Sequence, residues 1–203
     1  EGQQYFSAMH CAANMSFANR QIILHRIREV FGGVFRRAPE DLGLRMIYDV
    51  AHNTAKVETH LVDGVERKLL VHRKGATRAF GPGMPGLPPE YADVGQPVII
   101  GGSMESGSYL LVGERSGRAS FFSTAHGSGR TMSRHQAKKS FRGRDLEEKM
   151  RRRGIYVRTV SYSGLAEEAG AAYKDIDAVV GATERAGLSR AVVRLTPIGN
   201  VKG

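Results

Sequence analysis

Hydrophobic and polar positions follow two different periods along this chain, and the change of period predicts where its elements lie. Between residues 5 and 31, apolar side chains recur every three to four positions, which predicts a long amphipathic helix that ends at Gly32 and Gly33. From residue 46 to 72 the pattern becomes β-rich, in the runs MIYDV, VETHLV and LLVH. Asp63 and Gly64 separate the last two runs and predict a hairpin turn.

The rest of the chain mixes strands and helices. Residues 75–97 carry five of the seven prolines, which predicts an ordered loop. Beyond it, the patterns predict strands in PVIIGG and SYLLVG, a helix at 144–150, a strand in IYVRTV, a helix within 172–186 that opens near Lys174 and Asp175, a strand in AVVRLTPI and a tail at 199–203. Since no regular βαβ unit and no internal period repeats, the predicted class is α+β, with mixed sheets and packed helices.

Composition excludes several classes of protein. With 203 residues, of which 41% are hydrophobic and 25% charged, the chain can form one or at most two compact domains. No apolar run approaches the roughly 20 residues that span a bilayer, and the first residues do not resemble a secretory signal. The single cysteine, Cys11, cannot form an internal disulfide, so the expected location is the cytoplasm. A first residue of Glu1 instead of Met indicates that a longer protein has been cut.

Positive charge is concentrated in one segment. The formal net charge is +10, and residues 130–158 alone hold 11 basic and three acidic side chains. Such a segment can bind the phosphates of an anionic partner. A solvated basic helix explains the same charge, and the pattern does not decide between the two interpretations.

Two of the seven histidines stand where a strand is predicted to end in small polar residues. They are His52, in HNTAK, and His126, in AHGSGR. A strand-end imidazole can point into a ligand cleft, although a capping or packing role explains His52 equally well. His126 precedes two glycines and Arg130, an arrangement whose N–H groups and guanidinium suit a phosphate. An ordinary Gly-rich loop is the alternative.

Six separated strings occur in one order: HNTAK, HRKGATRAFGPG, GQPVIIGGSMESGSYLLVG, STAHGSGRTMSR, YKDIDAVV and PIGNVKG. Together they resemble the RtcB family of RNA ligases over essentially the whole chain. The resemblance implies that residues 1–203 are a single partial domain, the C-terminal portion of an RtcB-like catalytic domain. The family's upstream metal-binding motifs do not occur in this sequence.

The resemblance also implies an activity. Family members join an RNA 3′-phosphate or 2′,3′-cyclic phosphate to a 5′-hydroxyl, with GTP and Mn²⁺ as cofactors, in tRNA splicing and RNA repair. The implied partners are tRNA halves or broken RNA ends, GTP, and an archease-type activating protein. A non-catalytic basic module that binds RNA or nucleotide is the alternative from another functional class, because the upstream motifs are absent.

Roles for individual residues follow from the matching motifs. His126 is implied as the nucleophile that becomes guanylylated, and His52 as a metal ligand. Arg130 and Arg134 lie in the basic segment, and their charge makes them the candidates for RNA phosphate contacts. Glu105 stands where the family often has glycine, and Cys11 lacks the context of the family's metal-binding cysteine. The implied nucleotide contacts are Asn53, Ser103, Ser108, His126, Gly127, Ser128, Gly129, Tyr173 and Lys202.

Overall fold

The amphipathic period at the start of the chain forms helix α1, Gly2–Phe35, in the computed structural model. The predicted end at Gly32 and Gly33 is wrong, because the helix continues to Phe35 and ends at Arg36 in a left-handed conformation. The N–H of Arg37 then donates to the Gly32 carbonyl at 3.2 Å, which satisfies one of the carbonyls at the helix end.

The structure describes residues 1–202, with the side chain of Lys202 outside the described part. The chain divides into two compact units, an N-terminal unit of Glu1–Arg78 and a C-terminal unit of Ala79–Gly203. Although α1 has 34 residues, neither it nor another helix of the described residues has an apolar stretch sufficient to cross a membrane.

A β-hairpin follows α1 in the N-terminal unit. Strands β1, Asn53–Val62, and β2, Val65–Lys74, pair antiparallel, and a short strand β3, Ala76–Arg78, follows. The predicted turn is confirmed, with positive φ angles of 53° at Asp63 and 78° at Gly64. The strand predicted in MIYDV does not form, since residues 46–50 have no regular secondary structure.

One face of this hairpin buries three ionisable side chains. The Arg73 guanidinium donates to both carboxylate oxygens of Glu58, at 2.8 and 2.9 Å, and His60 Nε2 lies 2.9 Å from Glu58 Oε2. Burial acts to raise the pKa of Glu58, but the hydrogen bonds from Arg73 and His60 outweigh it and hold that pKa below its ordinary value. His60 is therefore a buried member of this network of ionisable side chains.

A three-stranded antiparallel sheet forms the first core of the C-terminal unit. Its strands are β4, Pro97–Gly101, β5, Ser108–Gly113, and β8, Ser189–Leu195, in the order β4-β5-β8. Helix α5, Ile176–Arg185, packs on it through Ile176 and Val180 against Ile100 and Leu111. The helix opens beside Lys174 and Asp175, as predicted, because the Asp175 carboxylate accepts the N–H groups of Asp177 and Ala178 and caps the first turn.

The second core of this unit lies between short helices and a parallel strand pair. The elements are α2, Arg134–Ser140, α3, Gly143–Arg152, β7, Tyr156–Thr159, α4, Tyr162–Glu167, and β9, Gly199–Lys202. Met104, Met150 and Leu165 are buried at its centre. Strand β6, Ser123–Ala125, instead packs Ala125 against the first core. The predicted tail is strand β9, paired in parallel with β7. Helices together with several small sheets confirm the α+β class.

Candidate functional site

Residues 126–130, the His126 loop, leave strand β6 and run along the end of β4. The N–H of Ser128 donates to the Gly101 carbonyl at 2.8 Å, and the N–H of Gly101 donates to the His126 carbonyl at 3.3 Å. The two segments therefore form a parallel bridge between Gly101 and Gly127. The side chain of His126 is exposed while its main chain is fixed, an arrangement that suits a group reacting with a soluble molecule.

Tyr173 is brought against the end of the same loop. The N–H of Lys174 donates to the Gly129 carbonyl at 2.9 Å, and the N–H of Thr131 donates to the Ala172 carbonyl at 2.8 Å. These bonds bracket an antiparallel bridge between Arg130 and Tyr173. Two predicted functional segments 43 residues apart therefore share one small piece of sheet.

Arg130 is held by partners within the protein. Its guanidinium donates to the Tyr173 hydroxyl at 2.9 Å, to the Glu167 carbonyl at 2.6 Å and to the Met132 carbonyl at 3.1 Å. It also lies 4.8 Å from the centre of the Tyr173 ring. Burial, followed by the hydrogen bond to Glu168, raises the pKa of Tyr173 above its ordinary value, so this hydroxyl stays protonated at neutral pH.

Arg134 differs from Arg130 in its exposure. It opens helix α2, its side chain is 70% exposed, and its Nε lies 3.6 Å from Glu167 and 3.9 Å from Glu168. By contrast, the side chain of Arg130 is 23% exposed. Both arginines stay predicted phosphate contacts, and Arg134 is the one whose guanidinium is accessible.

Residues 102–107, the serine loop, connect β4 to β5. Ser103 Oγ accepts the N–H groups of Glu105 and Ser106, each at 3.2 Å, and lies 3.0 Å from Ser106 Oγ. The Ser103 hydroxyl thus shapes the turn. Ser108 opens β5 and pairs with Gly101, the residue that also holds the His126 loop, so Ser108 and the His126 loop meet at the end of β4.

An open cleft of about 400 Å³ lies beside the serine loop. Its wall combines Ser103 and Tyr173 with the start of helix α5, including its capping residue Asp175. Lys174, Arg153 and Arg194 add positive charge to the wall, and Glu105 and Asp177 add negative charge. Hydroxyl groups and cations together suit a polar ligand that carries phosphate.

The cations of this wall were not predicted as ligand contacts from the sequence. Arg153 lies at the end of α3 and Arg194 on β8, and both reach the cleft only through tertiary packing. The positive charge of residues 130–158 was a signal for Arg153, whereas nothing in the local sequence marked Arg194.

The predicted metal ligand His52 and its neighbour Asn53 lie in the N-terminal unit. The His52 carbonyl accepts the N–H of Gly75 at 2.9 Å, and Asn53 Oδ1 accepts the same N–H at 3.2 Å and lies 3.3 Å from Lys74 Nζ. Within residues 1–202, no group of three or more His, Cys, Asp or Glu side chains could hold a metal ion. These residues do not by themselves fit a manganese centre, and the roles of His52 and Asn53 stay predictions.

The predicted nucleotide contact of Lys202 concerns a side chain outside the described residues. The strand that carries it is nevertheless attached to the serine loop, because Asn200 Nδ2 donates to the Met104 carbonyl at 3.3 Å.

Comparison with known proteins gives one consistent family. The family model described as "tRNA-splicing ligase RtcB" matches residues 1–203. All of this chain aligns with proteins named "tRNA-splicing ligase RtcB" from Archaeoglobus fulgidus, at 54% identity, and Thermococcus kodakarensis, at 53%. It also aligns in full, at 50% identity, with "RNA-splicing ligase RtcB homolog 1" from Entamoeba histolytica. The chain spans 42%, 42% and 39% of these three proteins, less than half of each.

Proposed function

Because this chain belongs to the RtcB family of tRNA-splicing ligases, we propose that it carries the nucleotide-transfer part of an RNA ligase. The reaction joins an RNA 3′-phosphate or 2′,3′-cyclic phosphate end to a 5′-hydroxyl end at the expense of GTP, in tRNA splicing and RNA repair. The observation that carries the proposal is an exposed His126 whose main chain is bonded to the end of β4, beside Ser108 and the serine loop.

His126 acts as the nucleophile in this proposal. A neutral imidazole nitrogen attacks the α-phosphorus of GTP, an N–P bond forms, and pyrophosphate leaves with the electrons of the P–O bond that breaks. An oxygen of the RNA 3′-phosphate then attacks the same phosphorus and releases the imidazole. In the last step the RNA 5′-hydroxyl attacks the activated 3′-phosphorus, loses its proton, and displaces GMP.

The remaining nucleotide contacts keep the roles that the resemblance implies. Ser103 and Tyr173 support this proposal, because both line the 400 Å³ cleft. Main-chain N–H groups of Gly127 and Gly129 can approach a phosphate closely, since glycine has no side chain to keep the ligand away. Manganese is part of the proposed function as a group that would offset phosphate charge. The described residues supply a single candidate ligand for it, His52.

The proposal is tested by ligation of two RNA oligonucleotides, one ending in a 3′-phosphate and the other beginning with a 5′-hydroxyl. Two proteins are tested. One is the chain itself, and the other is a chimera in which residues 1–203 replace the matching 42% of the Archaeoglobus fulgidus relative. We expect the chimera to form the joined RNA and a covalent GMP adduct, both dependent on GTP. A folded chimera that binds RNA but forms neither product would favour the alternative, a basic RNA-binding module.

A second prediction separates the two arginines. We expect Arg134→Ala to weaken RNA binding and to lower the slope of log K against log salt by about 0.7 to 1, because one exposed phosphate contact is lost. Arg130→Ala should in addition lower the thermal unfolding temperature, since its guanidinium bridges Tyr173 and the Glu167 carbonyl. Filter binding of the chimera at several salt concentrations measures the first effect. An unchanged salt slope for Arg134→Ala would give that residue a structural role.

A further inference from the structure

Glu105 is the acidic residue of the serine loop, and its carboxylate bonds to several neighbouring groups. Its Oε2 lies 2.5 Å from Lys149 Nζ and 3.3 Å from Arg153 Nη1, and its Oε1 accepts the N–H of Gly170 at 3.1 Å. Arg153 Nη2 also donates to the Glu105 main-chain carbonyl at 3.1 Å. We call this set of contacts, formed by Glu105, Lys149, Arg153 and Gly170, the Glu105 clamp.

The burial of Glu105 makes these contacts consequential. Its side chain is only 10% exposed, whereas those of Lys149 and Arg153 are 57% and 50% exposed. A carboxylate withdrawn from water is costly unless cations and hydrogen-bond donors compensate it. Removal of its charge would therefore leave two cations at the end of α3 without this counter-charge.

The clamp joins three segments that form the wall of the same cleft. The serine loop contributes Ser103, the end of α3 contributes Arg153, and the turn at Gly170–Ala172 leads directly into Tyr173. The three-stranded sheet fixes the two ends of the serine loop, whereas the centre of the loop is attached to the second core and to α3. Met104 is buried in the second core, and Glu105 bonds to α3. Contacts made by Glu105 thus connect the segment that carries Ser103 with the turn that leads into Tyr173.

We propose that Glu105 is a positioning residue, which through Lys149, Arg153 and Gly170 holds Ser103 and Tyr173 at the spacing that nucleotide binding requires. This inference rests on the proposed function, in which the cleft binds the nucleotide. Glu105 also lines the cleft, so direct contact with the ligand is the competing explanation. The two explanations differ in what they predict for Lys149, which does not line it.

The first test measures the clamp without any ligand. Hydrogen exchange of the chain is followed at the Gly170 amide in wild type, Glu105→Gln and Glu105→Ala. We expect about tenfold faster exchange in Glu105→Ala and a smaller increase in Glu105→Gln, which keeps an oxygen for the Gly170 N–H. Glu148→Gln is the matched control, because Glu148 pairs with Arg151 and Arg152 on the same helix but has no contact with the serine loop. Unchanged exchange in Glu105→Ala would overturn the clamp.

The second test measures the positioning role. We expect Glu105→Gln and Lys149→Met each to raise the KM for GTP in guanylylation of the chimera by about tenfold, with a smaller change in kcat. The double variant should resemble the single variants, because both remove one interaction. Glu148→Gln should match wild type. A raised KM in Glu105→Gln alone, with Lys149→Met unchanged, would instead mean direct ligand contact and would overturn the proposal.

These outcomes are distinguishable from a failure of the proposed function. If the wild-type chimera forms no GMP adduct, the proposed function and the positioning role both fail, and hydrogen exchange still decides whether the clamp exists. If wild type forms the adduct and both substituted proteins have the wild-type KM, only the positioning role fails.

Discussion

Replacing His126 by alanine should abolish the covalent transfer of GMP from labelled GTP to the chimera. We expect a loss of about a thousandfold or more, because removal of a nucleophile eliminates the intermediate instead of weakening its binding. The fold should be retained, since the His126 side chain is exposed and its segment is held by main-chain bonds to Gly101. Electrophoresis with α-labelled GTP, followed by mass spectrometry of the modified peptide, measures the adduct.

The control for this experiment is His135→Ala. His135 is also an exposed histidine of the C-terminal unit, in helix α2, and no nucleotide role is assigned to it. Its replacement should leave the adduct unchanged. Label that persists in His126→Ala, on any residue, would contradict the assignment of His126 as the nucleophile.

The second large effect is expected from Gly107→Ala, at the end of the serine loop. Gly107 has a φ of +84°, and a Cβ there would lie 2.1 Å from the Leu195 carbonyl oxygen and 3.2 Å from Pro197. The backbone must shift to accept the methyl group, because the nearest atom belongs to strand β8 and cannot rotate away. We expect the free energy of unfolding to fall by about 3 to 4 kcal/mol. Urea unfolding followed by circular dichroism measures this change.

Gly154→Ala separates the cost of backbone conformation from the cost of close contact. Gly154 has a similar φ of +74° in the same unit, but a Cβ there would meet nothing within 4 Å. This variant should lose only about 1 kcal/mol, the cost of a left-handed conformation for alanine. Equal losses of unfolding free energy in Gly107→Ala and Gly154→Ala would show that the close contact with Leu195 adds no cost of its own.

Local sequence signals predicted those elements whose stability depends on neighbouring residues. The α1 period and the Asp63–Gly64 turn are both confirmed, because helix periodicity and turn chemistry act over a few positions. The MIYDV segment shows the limit of this reasoning. Its β-rich composition satisfies the strand pattern, yet residues 46–50 form no strand, because a local pattern does not encode the tertiary context on which strand formation depends.

The tertiary structure changed the interpretation of residues that the sequence had already singled out. Arg130 and Arg134 both stand in the basic segment, and nothing in their local sequence separates them. The fold directs one guanidinium to Tyr173 and the Glu167 carbonyl and leaves the other 70% exposed. Exposure depends on which segment packs nearby, and that segment lies about 40 positions further along the chain.

By itself, the sequence determined the family, the α+β class and the candidate nucleophile, because ordered motifs and periodicities are written in consecutive residues. Only the tertiary structure decided how the cleft is assembled. Glu105 meets Arg153 across 48 positions, and Met104 meets Asn200 across 96. Such contacts follow from the burial of the two cores, which brings remote segments together. The energy of each contact depends on atoms that no local stretch of sequence contains.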